Sequence, residues 1–284
     1  MARKAAERER ESVLLRLLYE TVPGRMLLKV LASEKVSELC GRYMDSELSV
    51  WMIKGFIRKN HIRMSDYLPE DYRSFNEFFT RKIKPGLRPV CMKDCAFIAP
   101  CDGLLSAYRI EGDEVIPVKQ SRYTISRLIG DEELAKDYRD GICLVFRLCV
   151  GHYHRYSYID SGVKGENHFI PGVLHTVRPV ALDNVSVFTE NCREYTVMDT
   201  DNFGLVTQVE VGAMLVGKIS NNDGAAVINR GEEKGRFLYG GSTVILLVGK
   251  DRVKIPEYVF EATKKGGEIP VRMGERIGTG INPQ

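Results

Sequence analysis

The sequence has no apolar run near the roughly 20 residues that a membrane-spanning helix needs. Val244-Ile-Leu-Leu-Val248 is among its longest, and that length fits a buried strand. It has no glycine-rich phosphate loop followed by Lys-Ser or Lys-Thr, and no G-x-G-x-x-G opening a helix after a strand. Kinases, P-loop NTPases and simple dinucleotide enzymes are thereby set aside. Charge of either sign is not in excess: 41 Lys and Arg face 38 Asp and Glu, too balanced for a dedicated nucleic-acid binder. The amino terminus has no secretory signal pattern, because residues 1–11 are densely charged and Arg16 interrupts the apolar stretch that follows. Seven scattered cysteines, an odd number, read as reduced thiols of a cytosolic protein rather than a disulfide framework. Cys91, Cys95 and Cys101 lack the second pair, or the nearby histidine, that a zinc site requires, so no metal is expected.

What is present is an ordinary globular composition, 44% hydrophobic and 28% charged over 284 residues. Residues 1 to about 80 read as helical. Val13, Leu14, Leu17 and Leu18 share one face, and Met26, Leu27, Val30 and Leu31 repeat the pattern after Pro23-Gly24. A third helix is expected over residues 49–59. Residues 1–63 hold 13 Lys and Arg against 8 Asp and Glu, so these helices are basic as well as amphipathic. They pack on the core, or they also contact an anionic membrane surface. From about Lys84 short β-branched runs alternate with Gly, Asn and Asp turns. Strands are expected over 104–110, 142–150, 172–177, 185–188, 194–198, 205–211, 214–219, 225–228 and 243–248. Helices are expected there only over 123–129 and 132–138. The class is α+β: a helical N-terminal region, residues 1–83, and a β-rich catalytic domain, residues 84–284, with barrel-sandwich-like elements at 212–217 and 272–278.

Four of the five histidines, His152, His154, His168 and His175, fall close together in the β-rich half. If the strand from Ile142 runs on through Tyr156, His152 and His154 point to one face, as ligands, acid–base groups or merely structural side chains. Pro100-Cys-Asp-Gly103 is a turn signature. Gly240-Gly-Ser-Thr243 precedes a buried strand, either as a flexible bend or as a permissive site where a serine hydroxyl attacks its own preceding carbonyl.

Taken in order, these segments resemble the phosphatidylserine decarboxylase family. Ser74-Phe-Asn-Glu-Phe-Phe-Thr-Arg-Lys-Ile-Lys-Pro-Gly-Leu-Arg-Pro89 is similar to the family's SFNEFFTRKLKPGARP, and Ala99-Pro-Cys-Asp-Gly103 to its SPADG. Tyr153-His-Arg155, Ile170-Pro-Gly172, Pro179-Val-Ala-Leu182, Asn191-Cys-Arg-Glu194 and Val211-Gly-Ala213 follow at the expected places. Gly240-Gly-Ser-Thr243 stands at the family's processing site. Tyr19-Glu-Thr-Val-Pro-Gly-Arg25 and Met44-Asp-Ser46 look like the bacterial branch with a soluble helical extension.

The resemblance implies a self-made pyruvoyl enzyme acting on phosphatidylserine at the inner face of a cell membrane, as a homodimer of processed chains. Ser242 would attack the Gly241 carbonyl, the chain would part between them, and residue 242 would become a pyruvoyl group heading residues 242–284. That ketone condenses with a substrate amine and accepts the electrons left by departing carbon dioxide. The family's relay of Asp, His and Ser carries over to Asp102 and Ser242. Its D-Y-H-R-x-H segment here reads His152-Tyr-His-Arg-Tyr-Ser157, so Ser157 stands where the relay histidine is expected. A serine hydroxyl is no base at neutral pH. Three readings stay open: His154 serves both steps, His152 takes over, or the chain is not processed. His175 is placed near the pocket. Alternatives for function are a pyruvoyl-dependent decarboxylase of a free amino acid and a non-cleaving lipid-binding relative.

Overall fold

A computed structural model describes residues 13–21, 23–24, 26–27, 34–111, 115–118, 121–176, 186–213, 218–222, 224–239 and 242–281. The N-terminal region supplies helices α1 (Val13–Glu20), α2 (Glu34–Met44), α3 (Trp51–Lys59) and α4 (Phe75–Phe79). Strands β1 (Ala96–Ile98), β2 (Gly103–Arg109), β3 (Val115–Val118) and β4 (Ser121–Thr124) follow, then helices α5 (Ile125–Ile129) and α6 (Glu132–Ala135). Next come β5 (Ile142–Leu148), β6 (Arg155–Ser157), β7 (Gly162–Ile170), helix α7 (Val187–Glu190), β8 (Arg193–Thr200) and β9 (Gly204–Val211). The chain closes with β10 (Ile219–Asn221), β11 (Ala226–Ile228), β12 (Glu233–Phe237), β13 (Ser242–Val248), β14 (Val253–Lys254), helix α8 (Glu257–Lys264), β15 (Ile269–Val271) and β16 (Arg276–Gly280). The class is α+β and rich in strand, as the sequence predicts.

An eight-stranded antiparallel sheet, ordered β11-β7-β8-β9-β13-β5-β2-β15, divides the interior. Its central strand β13 is buried at every residue. Ile245 and Leu247 enter one core with Val145, Val209 and the helices α5 and α7. Val244, Leu246 and Val248 enter a second core with Phe146, Tyr156 and Phe237. A strand covered on both faces needs apolar residues at every position, which is why it reads as a run rather than an alternation. Each such side chain contributes about 1.5–3 kcal/mol relative to exposure.

A third cluster joins the helical region to the strands: Ile53, Phe75, Phe78 and Phe79, with Phe56 and Tyr239 against them. Helix α4 begins there for a legible reason. Ser74 Oγ accepts from the Glu77 amide, and the Glu77 carboxylate accepts from the Arg73 amide, a variant of the capping box.

Several strand expectations are corrected. The run from Ile142 stops at Leu148, and residues 187–190 form helix α7 rather than a strand. Over 172–176 only a bridge between Val173 and Asn191 forms. The reason is Asn191. Its side chain accepts from the His175 amide and donates to the carbonyls of His175 and Gly212, so the backbone there is satisfied without a ladder. Residues 177, 185 and 214–217 of the expected strands lie outside the described residues, as do Pro179–Leu182 of the family segments.

Candidate active site

Ser242 opens β13 opposite Leu148 of β5. It is fully buried, and its Oγ has no hydrogen-bond partner among the described residues. Gly240 and Gly241 lie outside the described residues, so the expected cleavage partner has no geometry to report.

His154 is also fully buried. Its Nδ1 lies 2.9 Å from the His152 carbonyl oxygen. A carbonyl only accepts, so Nδ1 carries the proton and Nε2 keeps a free lone pair. That Nε2 is buried without a partner among the described residues. Burial pushes the pKa of the ring down to about 3, against the bond to the His152 carbonyl, and Arg81 adds repulsion. His154 is therefore a neutral imidazole with an unused basic nitrogen in a dry place.

Helix α4 side chains contact both His154 and Tyr239. The Phe79 ring lies 4.2 Å from the His154 ring and 5.2 Å from that of Tyr239, three residues before Ser242. Asn76 accepts from the Tyr239 amide at 2.9 Å and donates to Asp45 at 2.8 Å. The Ser-Phe-Asn-Glu-Phe-Phe segment thus fixes the approach to β13, a role its sequence alone did not disclose.

Asp102 is held elsewhere. Arg88 Nε donates to its Oδ1 at 2.7 Å, Arg88 Nη2 bonds Oδ2, and the Met273 amide donates to Oδ1 at 2.9 Å. Asp102 and Arg88 line a cavity of about 740 Å³ together with His152, Tyr153, Arg272 and Met273. His154 and Ser242 are not in its lining. The expected common face of His152 and His154 is corrected: the chain turns at 149–152, where the Cys149 amide donates to His152 Nδ1 at 3.1 Å and the His152 amide returns to the Cys149 carbonyl. His152 is left at the cavity and His154 inside.

Ser157 is buried, and its hydroxyl donates to the Pro100 carbonyl at 3.3 Å. His175 lies apart from the cavity lining, between Tyr19 of α1 at 3.4 Å and Glu190 at 3.6 Å, and burial pushes its pKa down. Sequence reasoning missed the clamp on Asp102; Arg88 lies fourteen residues away, inside the Ser74–Pro89 motif, and nothing in that motif pairs it with Asp102.

A buried ion pair lies on the Ser242 face of the sheet. Glu210 pairs in register with Val244, so its side chain and that of Ser242 share a face. Lys234 meets Glu210 at 2.9 Å, both fully buried, and Gln208 and Asn221 donate to the same carboxylate. Burial raises the Glu210 pKa, and Lys234 opposes that shift.

A strand-rich α+β chain with an orphaned serine at the head of its central strand defines a narrow class. The family model for phosphatidylserine decarboxylase matches residues 75–279, and the chain belongs to that family. A protein of Clostridium acetobutylicum named phosphatidylserine decarboxylase proenzyme 2 is 42% identical over 273 residues, covering 96% of this chain and 94% of its own. Phosphatidylserine decarboxylase proenzymes of Ruminiclostridium cellulolyticum and Clostridium perfringens are 41% and 40% identical, each covering over nine-tenths of this chain.

Proposed function

We propose that this protein decarboxylates phosphatidylserine to phosphatidylethanolamine after cutting itself between Gly241 and Ser242. The observation that carries this reading is the buried Ser242 Oγ which, like the unprotonated Nε2 of buried His154, has no partner among the described residues. A buried hydroxyl without a partner costs stability of about 1–3 kcal/mol. Its retention at this position fits a group kept for reaction.

His154 Nε2 takes the Ser242 hydroxyl proton as Oγ bonds to the Gly241 carbonyl carbon. The Gly241–Ser242 C–N bond breaks, and the released amine takes the proton back. Loss of the Cα proton then expels the Gly241 carboxylate from the new ester. Water converts the resulting enamine to a ketone and releases ammonia. The residue 242 position, at the head of β13, suits a pyruvoyl group: it is rigid, buried and flanked by strands on both sides. That group supplies an electrophilic ketone for the substrate amine and a sink for the electrons of the lost carboxylate. Asp102 and His152 serve the substrate side, where the cavity admits a headgroup and a proton donor near neutral pH is needed.

The helical region supports work at a lipid surface. Leu39, Leu48 and Trp51 are exposed, and Lys54, Arg58 and Lys59 stand on the same or the next turns. No helix among the described residues is long and apolar enough to cross a bilayer. This pattern supports peripheral docking on an anionic lipid surface.

Two measurements test the reading. Intact mass under denaturing conditions should give two chains parted between residues 241 and 242, the smaller blocked by pyruvate. The processed protein should then release carbon dioxide from phosphatidylserine vesicles. Activity on free amino acids alone would replace the lipid with the amino-acid reading. One uncut chain that sediments with anionic vesicles would leave only a lipid-binding relative.

A further inference from the structure

The Asp102 clamp is built from two segments that lock each other. An ionised carboxylate offers about four acceptor positions. Three are filled, by Arg88 Nε, Arg88 Nη2 and the Met273 amide. The remaining guanidinium nitrogen, Nη1, donates to the Leu87 carbonyl at 2.9 Å, so the fork cannot turn without losing a bond. The turn carrying Met273, residues 272–275, packs against the chain just beyond Arg88. A Cβ at Gly274 would meet the Pro89 carbonyl oxygen at 2.8 Å and the Val90 Cα at 3.0 Å, and Gly274 has φ +81°. Backbone hydrogen bonds from Cys91 to Gly274 and from Gly274 to Ala99 close the join. The clamp therefore reaches the carboxylate from both sides as one unit.

We infer that Arg88 is a positioning residue for Asp102: it fixes the carboxylate plane and leaves one acceptor position, for a partner in the cavity. The inference rests on the proposed role of Asp102 on the substrate side. It gives the Lys84–Pro89 turn and the 272–275 turn a part in the chemistry, acting through Asp102.

The test uses the full-length precursor as wild type, R88K, R88Q, D102N and the R88Q/D102N double variant. Rates of small-chain formation, decarboxylation of phosphatidylserine vesicles by the processed fraction, and Tm are read for each. R88Q should lower turnover of the processed fraction at least tenfold, toward the D102N value. R88K, which keeps the charge but not the fork, should fall between R88Q and wild type. The double variant removes both charges of the clamp, so its Tm should recover relative to R88Q while its rate stays at the D102N level. Rates that simply track Tm across the series would make Arg88 structural only and overturn the inference. So would wild-type rates in R88Q alongside a defective D102N. Wild-type rates in D102N would remove the role of Asp102 itself, and the inference with it.

Discussion

The two polar regions of this molecule differ in how their groups are satisfied. On the cavity side Asp102 has three donors, a neighbouring His152 and open space before it. In the interior Ser242 Oγ and His154 Nε2 have no partners among the described residues, and no exposed surface. A satisfied, accessible carboxylate suits a step that admits a substrate from outside. An unsatisfied, dry pair suits a step whose substrate is the chain itself, because water would otherwise compete for the activated carbonyl. Both steps centre on residue 242, so the two regions differ in the groups they bring to it: His154 from the interior, Asp102 and His152 from the cavity.

The sharpest break of that comparison is at Ser242. Ser242→Ala removes the nucleophile, so the small chain and all decarboxylation should vanish, as read by intact mass and carbon dioxide release. Stability should hold or rise by up to about 1 kcal/mol, because an orphaned hydroxyl leaves with its burial cost. A cut chain in this variant would place the nucleophile elsewhere.

The next largest effects separate the two histidines. His154→Gln should slow cleavage by about 10²–10⁴-fold, the usual worth of a positioned base. His152→Ala should leave cleavage within about threefold of wild type, yet reduce turnover of the processed enzyme by the order of 10²-fold. Time courses of small-chain formation, followed by kcat on vesicles, check both. A reversed pattern, with His152 needed for cleavage and His154 dispensable, would merge the two regions into one.

How legible was this in the sequence? The central strand was, because burial on both faces writes five consecutive apolar residues at 244–248. Ser242 and Asp102 stood out as candidates, because long colinear motifs surround them. The partition of the histidines was not. The period of a strand places His152 and His154 together, but a turn closed by Cys149 and His152 separates them, and nothing in the composition of 149–152 forbids a strand. Helix α7 was misread because Val187 and Phe188 favour strands, whereas the Glu190 and Asn191 amides bond back to the Ser186 and Val187 carbonyls and close a helical turn. Arg88 and Asp102 meet only through tertiary folding.

Position 157 probes whether the two regions can be joined. The family pattern suggests that restoring a histidine there would speed maturation. In the fold Ser157 is buried, bonded to the Pro100 carbonyl and paired across the sheet with Glu233. An imidazole there overfills the site, and Ser157→His should lower stability by about 1–3 kcal/mol without faster cleavage. Denaturant unfolding and a cleavage time course decide it. Faster cleavage would show that residue 157 links Asp102 to the interior.

The smallest effect is a pH dependence that belongs to the interior alone. His154 has a folded pKa of about 3, lowered from 6.5 chiefly by burial. Between those values the unfolded chain binds a proton at this residue and the folded chain does not, so acid favours unfolding. The contribution is fully present above pH 6.5 and is lost as pH falls toward 3, at about 1.4 kcal/mol per unit. The uncut Ser242→Ala precursor, compared with Ser242→Ala/His154→Gln, isolates it, since glutamine does not titrate. Between pH 7 and 5 the Tm of the first should fall more steeply than that of the second. His175, whose pKa is also lowered by burial, is common to both proteins and cancels. Parallel curves would mean that His154 reaches water and is protonated in the fold, and the dry half of the comparison would be lost.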